Sequence, residues 1–297
     1  MRIGIDWGGT KIEIIVLDNH GVERFRKRVP TPRNDYKASI DVVRHLVCDA
    51  ENETSETCTV GIGIPGTISP ATGLVKNANS TWLNGRPLLE DIQSALKRDV
   101  RIQNDANCFT VSEAVDGAGQ GKTVVVGVII GTGCGSGIAI NGQAITGLHG
   151  IAGEFGHTPL PNMTEDEWPG ELCWCGKRGC LETYISGTGL QRDYARRSKS
   201  DELLPAQDIL AIGDRDARLS YQVYCDRLAR GLAQLVNFID PDLLVLGGGM
   251  SNVSALYEDL PALMQKHVFS DVFETPIVAA RHGDSSGVRG AAWLWQE

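Results

Sequence analysis

Apolar and polar positions alternate with a period of two in residues 2–7, where Ile3 and Ile5 share a face, and the same alternation returns in 12–17 and 22–29. The chain therefore opens with three short strands, the last two separated by the turn Asp18-Asn19-His20-Gly21. The period then changes. Ile40, Val43 and Val47 fall on one face of a helix that Asn34-Asp35 can cap. A strand at 59–64 closes on Pro65-Gly66-Thr67, and Pro87 starts an amphipathic helix with Leu89, Ile92 and Leu96 inward. A strand at 100–103 runs directly into Asn104-Asp105-Ala106-Asn107, and helical spacing continues from 106 to about 118.

The opening pattern recurs about 125 residues later. Residues 123–130 read as a strand, Gly131-Thr132-Gly133-Cys134-Gly135-Ser136-Gly137 as a loop, and 138–140 as the next strand; an Asn141-Gly142 turn then starts another at Gln143. The first copy of the loop is Asp6-Trp7-Gly8-Gly9-Thr10-Lys11. Glycines between paired strands let backbone approach a bound group closely and offer N–H donors to phosphate oxygens. Because a strand follows each loop, neither is the dinucleotide fingerprint or the Gly-Lys-Ser/Thr phosphate loop. Two unrelated hairpins would look similar. The repeat favours a duplication, with two similar domains facing one another and each offering a phosphate-binding hairpin to the cleft between them.

Further on, Leu228, Leu232, Leu235 and Ile239 line one face of a helix over 226–240 that Pro241 stops. A buried strand at 243–246 leads into Gly247-Gly248-Gly249 and another helix. This third glycine run is either a place for a nucleotide to lie against backbone or a tight strand-to-helix turn. Residues 198–216 are polar and read as a solvated surface region. Residues 282–295 read as a loop and a terminal helix whose small residues allow close packing back on the first domain.

With 297 residues there is room for two domains of ordinary size, and 42% hydrophobic and 22% charged residues are normal for a globular protein. A net charge of −9 argues against nucleic acid and anionic membrane as partners. The longest apolar run, 124–130, is a buried strand and far too short to span a bilayer. A strand begins within two residues of the start, which reads as no signal peptide. Eight cysteines without a regular framework point to a reducing cytoplasm; Cys48, Cys58, Cys108 and Cys225 read as small core residues.

The chemistry concentrates in 153–182. Gly153-Glu154-Phe155-Gly156-His157 opens this stretch and Cys173-Trp174-Cys175-Gly176-Lys177-Arg178-Gly179-Cys180-Leu181-Glu182 closes it. Three thiolates and an imidazole, His157, Cys173, Cys175 and Cys180, form a tetrahedral zinc set with no open position, hence a structural clip. Free buried thiols, or a redox pair at Cys173 and Cys175, are the competing readings. Clipping the loop would carry Glu154 and Glu182 toward one place. Asp105 stands at the carboxyl end of a strand, where ligands bind in open α/β sheets. It could also be only an N-cap; the doubled amides beside it favour a site that grips hydroxyl groups.

These residues together resemble the ROK family of bacterial sugar kinases and repressors. The matching motifs are Asp6-x-Gly8-Gly9-Thr10-Lys11, Gly63-Ile64-Pro65-Gly66, Asn104-Asp105-Ala106-Asn107, the glycine loop at 131–137, Gly153-Glu154-x-Gly156-His157, Cys173-x-Cys175-Gly176-x-x-Gly179-Cys180-x-Glu182 and Gly247-Gly248-Gly249. They span the chain in family order. Residues 77–85 and 282–293 resemble the fructokinase/mannokinase branch most closely, while Trp7 departs from the family's usual aliphatic residue. The resemblance implies an α/β, two-lobed, actin-like (ribonuclease H-like) sugar kinase with an interdomain cleft and a zinc-binding loop. Its lobes would be 1–117, with 284–297 packing back on it, and 118–283, with the zinc loop at 157–180. It further implies a cytoplasmic homodimer that uses ATP and Mg2+ to phosphorylate a small-molecule hexose at its 6-hydroxyl. Fructose is the first expectation and mannose a poorer substrate, with N-acetylglucosamine, glucose or N-acetylmannosamine as alternatives. Asp105 would be the general base. Gly66, Asn79, Asn104, Glu154, His157 and Glu182 would hold the sugar. Gly8, Gly9, Thr10, Lys11, Gly131, Thr132, Gly133, Gly135, Gly137, Gly247, Gly248 and Gly249 would hold ATP, with Asp6 near magnesium.

The family's repressors form a competing class, but they carry a helix-turn-helix region ahead of the first hairpin, and here that hairpin begins at Asp6. A catalytically silent sugar sensor is a third reading, disfavoured by the presence of Asp105 and both hairpins.

Overall fold

The computed structural model describes residues 1–296. The alternating stretches form β1 (Arg2–Trp7), β2 (Lys11–Leu17) and β3 (Glu23–Pro30), an antiparallel set. Helix α1 (Tyr36–Thr54) is capped by the Asp35 carboxylate and buries Val43, Leu46, Val47 and Ala50. Strand β4 (Thr59–Ile64) pairs parallel with β1, and after the short β5 (Thr67–Ile68) and β6 (Val75–Lys76) comes α2 (Leu88–Leu96). Parallel to β4 lies β7 (Val100–Asn104), which runs without a gap into α3 (Asp105–Val115). This helix ends three residues before the sequence reading placed its end, because the Glu113 carboxylate accepts the Ala118 N–H and turns the chain away.

The second copy begins with β8 (Val124–Ile130), β9 (Cys134–Ile140) and β10 (Gln143–Ala144). Its turn is shorter than expected. Gly131 N–H donates to Gly133 O at 3.0 Å, so pairing resumes at Cys134, and Gly135 and Gly137 lie in a strand rather than a loop. Four helices follow the metal-ligand stretch: α4 (Glu182–Ile185), α5 (Gly187–Ser198), α6 (Ala206–Ile212) and α7 (Arg215–Ile239). The region read as a solvated surface thus contains α6, whose Ile209 packs with Tyr194 and Ala217. Asp214 caps α7, which starts eleven residues before the expected 226 because Ala217, Ser220 and Tyr224 continue its buried face. After β11 (Leu243–Gly247) come α8 (Ala255–Met264), the unforeseen β12 (Ile277–Ala279) and α9 (Ser286–Ala292).

The two large sheets have the orders β3-β2-β1-β4-β7 and β10-β9-β8-β11-β12. In both, an antiparallel edge adjoins parallel strands, since β8, β11 and β12 run parallel as β1, β4 and β7 do. The repeat read from the glycines is therefore a repeat of topology. The chain divides into unit 1 (Met1–Gly121, Gly137–Gly153 and the segment from Asp284) and unit 2 (Lys122–Ser136 and Glu154–Gly283).

In unit 1 one sheet face packs Ile3, Ile5, Ile14, Ile62 and Ile64 with α1 and α2. The other face receives α3 and α9 through Ile15, Leu17, Val111, Val288 and Ala292. Glycine is required for that approach: a Cβ on Gly4 or Gly61 would run into the Val288 or Ala291 carbonyl oxygen. Among the described residues no helix is long and apolar enough to cross a membrane. None of the eight cysteines is in a disulfide; Cys58, Cys108 and Cys225 are buried, whereas Cys48, expected in the core, is exposed.

Candidate active site

In unit 1 the turn between β1 and β2 is built on Gly8 and Gly9. Gly8 N–H donates to Lys11 O at 2.9 Å, Thr31 Oγ1 to Gly8 O at 2.8 Å and Arg33 Nε to Gly9 O at 3.1 Å. A Cβ on Gly9 would stand 2.9 Å from Ser80 Oγ, so glycine there lets the 77–85 segment lie against the turn. Thr10 O accepts the Thr31 N–H. Asp6, near the end of β1, has its carboxyl pushed up to about 6, first by burial and then by the Asp105 carboxylate.

Asn104 rather than Asp105 caps α3: its side chain accepts from the N–H groups of Ala106 and Asn107. The reading of Asp105 as only an N-cap is thereby set aside. Asp105 is an exposed first-turn residue whose Oδ1 accepts the Ala106 N–H at 2.8 Å. Asn104 Nδ2 also donates to Gly66 O at 3.2 Å. Gly66 has φ +89°, and a Cβ there would stand 2.6 Å from Lys76 O. Asn79 is exposed beside Ala78, whose N–H and C=O are both bound by Asn84 at 2.9 Å. That brace was not read from the sequence, although Asn84 stands in the quoted motif. Gly137 faces α3, where a Cβ would stand 2.5 Å from Thr110 Oγ1 and 2.8 Å from Ala106 O; glycine there admits a helix.

In unit 2 three segments meet at the β8–β9 turn. Gly187 N–H donates to Gly131 O at 2.7 Å, and Thr188 Oγ1 donates to Thr132 O at 2.8 Å. Gly248, with φ +80°, lies where a Cβ would stand 2.8 Å from Ile130 O. The hairpin turn and the third glycine run are thus brought together, with Gly247 ending β11 and Gly249 opening a short 3-10 turn. The start of α5 was missed, although Ser186-Gly187-Thr188-Gly189, a capping residue among glycines, carries a signal.

The metal-ligand residues converge. Ligand atoms of His157, Cys173, Cys175 and Cys180 all lie within 4.8 Å of one another. Cys175 and Cys180 Sγ are 3.6 Å apart, and Cys173 Sγ is 3.5 Å from His157 Nδ1. A zinc tetrahedron with ordinary bond lengths has edges of about 3.8 Å between sulfurs and about 3.6 Å from sulfur to nitrogen. The set fits zinc in chemistry and in size. The knuckle is shaped by Cys173 N–H to Lys177 O at 2.8 Å and by positive φ at Gly176 and Gly179. Its two ends are joined by Leu160 N–H to Gly179 O and Leu181 N–H to Thr158 O. Glu154 O accepts the His157 N–H at 3.2 Å, opening the 3-10 turn that carries the imidazole. Glu182, the first residue of α4, accepts the Trp174 indole N–H and the Cys134 N–H. Burial pushes the thiol of Cys134, the first residue of β9 rather than a loop residue, far up, with the Glu182 charge adding.

The sequence pattern that defines the ROK family matches residues 2–297. The chain belongs to the ROK family. N-acetyl-D-glucosamine kinase of Escherichia coli O157:H7 is 42% identical over 301 residues, covering 99% of both chains, and that of Citrobacter koseri is equally similar over the same span. Among solved structures, a ROK hexokinase from Thermus thermophilus matches with a TM-score of 0.86 at 28% identity, covering 98% of this chain and 96% of that one. A ROK family glucokinase from Streptomyces griseus, in complex with glucose and AMPPNP, matches with a TM-score of 0.78 at 29% identity, covering 99% and 98%. The ROK assignment read from the motifs stands, as does the two-lobed actin-like α/β fold. The branch does not. Both curated relatives carry N-acetyl-D-glucosamine in their names, not the fructose or mannose that 77–85 and 282–293 suggested.

Proposed function

We propose that this ROK protein is an ATP-dependent hexokinase acting on the primary 6-hydroxyl of a sugar, with N-acetyl-D-glucosamine as the leading substrate. The observation that carries the reading is 42% identity over 99% of both chains to a protein of that name. Phosphoryl transfer asks a protein mainly to position its reactants, neutralise charge and exclude water. Asp105 orients the attacking hydroxyl and takes its proton as general base. Gly66, Asn79, Asn104, Glu154, His157 and Glu182 hold the sugar. Because Nδ1 of His157 is turned to the thiolates, Nε2–H is the group that donates to a sugar oxygen. Zinc at His157, Cys173, Cys175 and Cys180 supplies rigidity and no chemistry. The turns at Gly8–Gly9 and Gly131–Gly133 and the run at Gly247–Gly249 hold ATP, with Asp6 beside its magnesium ion.

Glucose is the second reading, favoured by the likeness to a ROK family glucokinase in complex with glucose. One experiment separates the two: ATP consumption and 6-phosphate formation with N-acetylglucosamine, fructose, mannose, glucose and N-acetylmannosamine, for the wild type beside Asp105→Asn. The kcat/KM ranking names the sugar, and Asp105→Asn should lose about 10²–10⁴-fold in kcat. ATP turnover independent of sugar, or none with any hexose, would overturn the kinase reading.

A further inference from the structure

Glu182 is held on two sides by groups of unit 2. Oε2 accepts the Cys134 N–H at 3.0 Å, where β9 begins, and Oε1 accepts the Trp174 indole N–H at 2.8 Å. Trp174 lies between Cys173 and Cys175, and its ring meets His157 edge-on, with centroids 4.9 Å apart and planes at 85°. One carboxylate thus joins the metal knuckle to the glycine turn. The seat is also shaped at Gly133, where a Cβ would stand 2.6 Å from Glu182 Oε2. Gly133 is not among the positive-φ glycines, so the backbone does not demand glycine there. Room for the carboxylate does. Trp174 itself is 62% exposed, too open for its ring to serve chiefly as core packing.

We propose that Trp174 and Gly133 are positioning residues for Glu182. Together they fix its carboxylate against the β8–β9 turn, so that the sugar-binding acid and the nucleotide turn form one rigid piece. The inference rests on Glu182 binding sugar as described above. A carboxylate oxygen accepts more than one hydrogen bond, so Oε1 keeps capacity for a sugar hydroxyl while the indole holds it. Without the indole N–H the carboxylate can rotate away. That weakens sugar binding in ground and transition states alike and raises KM rather than lowering kcat.

The test compares wild type, Trp174→Phe and Gly133→Ala for hexose KM, ATP KM, kcat and zinc content. Trp174→Phe keeps a ring against His157 but loses the donor. It should retain its zinc and a kcat within about twofold, with hexose KM raised about tenfold, the loss of one hydrogen bond to a charged group. Gly133→Ala should raise KM for hexose and ATP together. A readout independent of turnover is the 15N-indole spectrum, where the Trp174 N–H signal should lie downfield and shift in Glu182→Gln. An unchanged hexose KM in Trp174→Phe, zinc loss in step with the KM change, or an indole signal indifferent to Glu182→Gln would each overturn the proposal. If the wild type phosphorylates no hexose, the substrate reading fails on its own, and the spectrum still decides whether Glu182 is held.

Discussion

Asp6 in unit 1 and Glu167 in unit 2 are both carboxylates withdrawn from water, and their surroundings drive them in opposite directions. Around Asp6, burial comes first and the neighbouring Asp105 carboxylate second, so the proton is held up to about 6. Around Glu167 burial pushes the same way, but hydrogen bonds from Arg230 and Arg227 win and hold the group down to about 2. Arg227 Nε reaches Oε1 at 2.9 Å, Arg230 Nη2 reaches Oε1 at 2.7 Å and Arg230 Nη1 reaches Oε2 at 3.0 Å. Arg230 also donates to the carbonyls of Pro161 and Asn162, so the pair ties the segment between His157 and Cys173 onto α7. A carboxylate with a full set of cationic partners is a brace. One kept beside another carboxylate, next to a glycine turn, costs the fold stability, which is where ligand sites are found.

The largest effect expected from this contrast is at the brace. Arg230→Ala leaves Glu167 buried with half its partners and should destabilise the protein by about 3–5 kcal/mol in urea unfolding. A loss under about 1 kcal/mol would erase the distinction between the two sites.

Asp6→Asn should act with the opposite sign, stabilising by about 1–3 kcal/mol at pH 8 while abolishing transfer activity. A carboxyl whose pKa rises on folding binds its proton more tightly in the native state. Its contribution is therefore intact below the ordinary 3.8 and is lost as pH rises through about 6. The gain in Tm should be present at pH 8 and absent near pH 3.5; a lower Tm at pH 8 would make Asp6 a brace as well.

Glu167 gives the mirror slope. Its contribution is intact above the ordinary 4.5 and is lost as pH falls toward about 2. The acid limb of a stability profile should accordingly be shallower in Arg230→Ala than in wild type, and parallel limbs would remove Glu167 from the account. The smallest effect belongs to Lys27 and Asp49, 2.8 Å apart with both side chains about half exposed. Lys27→Ala should change stability by less than about 0.5 kcal/mol, a control for charge removal as such.

The strands around both glycine turns were legible because alternation with period two survives in Ile3, Ile5, Ile14 and Val16. The metal set was legible because donor chemistry is written in residue type: a histidine and three cysteines need only a turn to meet. The first eleven residues of α7 were not, because Arg215, Asp216 and Arg218 mask the face carried by Ala217 and Tyr224. The Glu167 clamp was hidden for a related reason. Acids and arginines some 60 positions apart look like solvated surface until a helix brings them together. Trp174 is, in the sequence, only the spacer between two ligands, and nothing in spacing reveals that its N–H reaches a carboxylate eight residues on. The cap of α3 falls at Asn104, one position before the Asp105 that the sequence left as an alternative cap, a distinction that only backbone geometry can fix.

The glycines of β1 and β4 that admit α9 have a consequence for biosynthesis. Strand β1 is translated before the other described elements, yet the helix that covers Gly4 and Gly61 comes after all of them. Unit 1 is begun early and finished late, while the segments of unit 2 are complete in between. A message broken upstream of Ser286 would yield a product whose sheet face keeps α3 but is bare over Gly4 and Gly61, a ready substrate for chaperones and proteases.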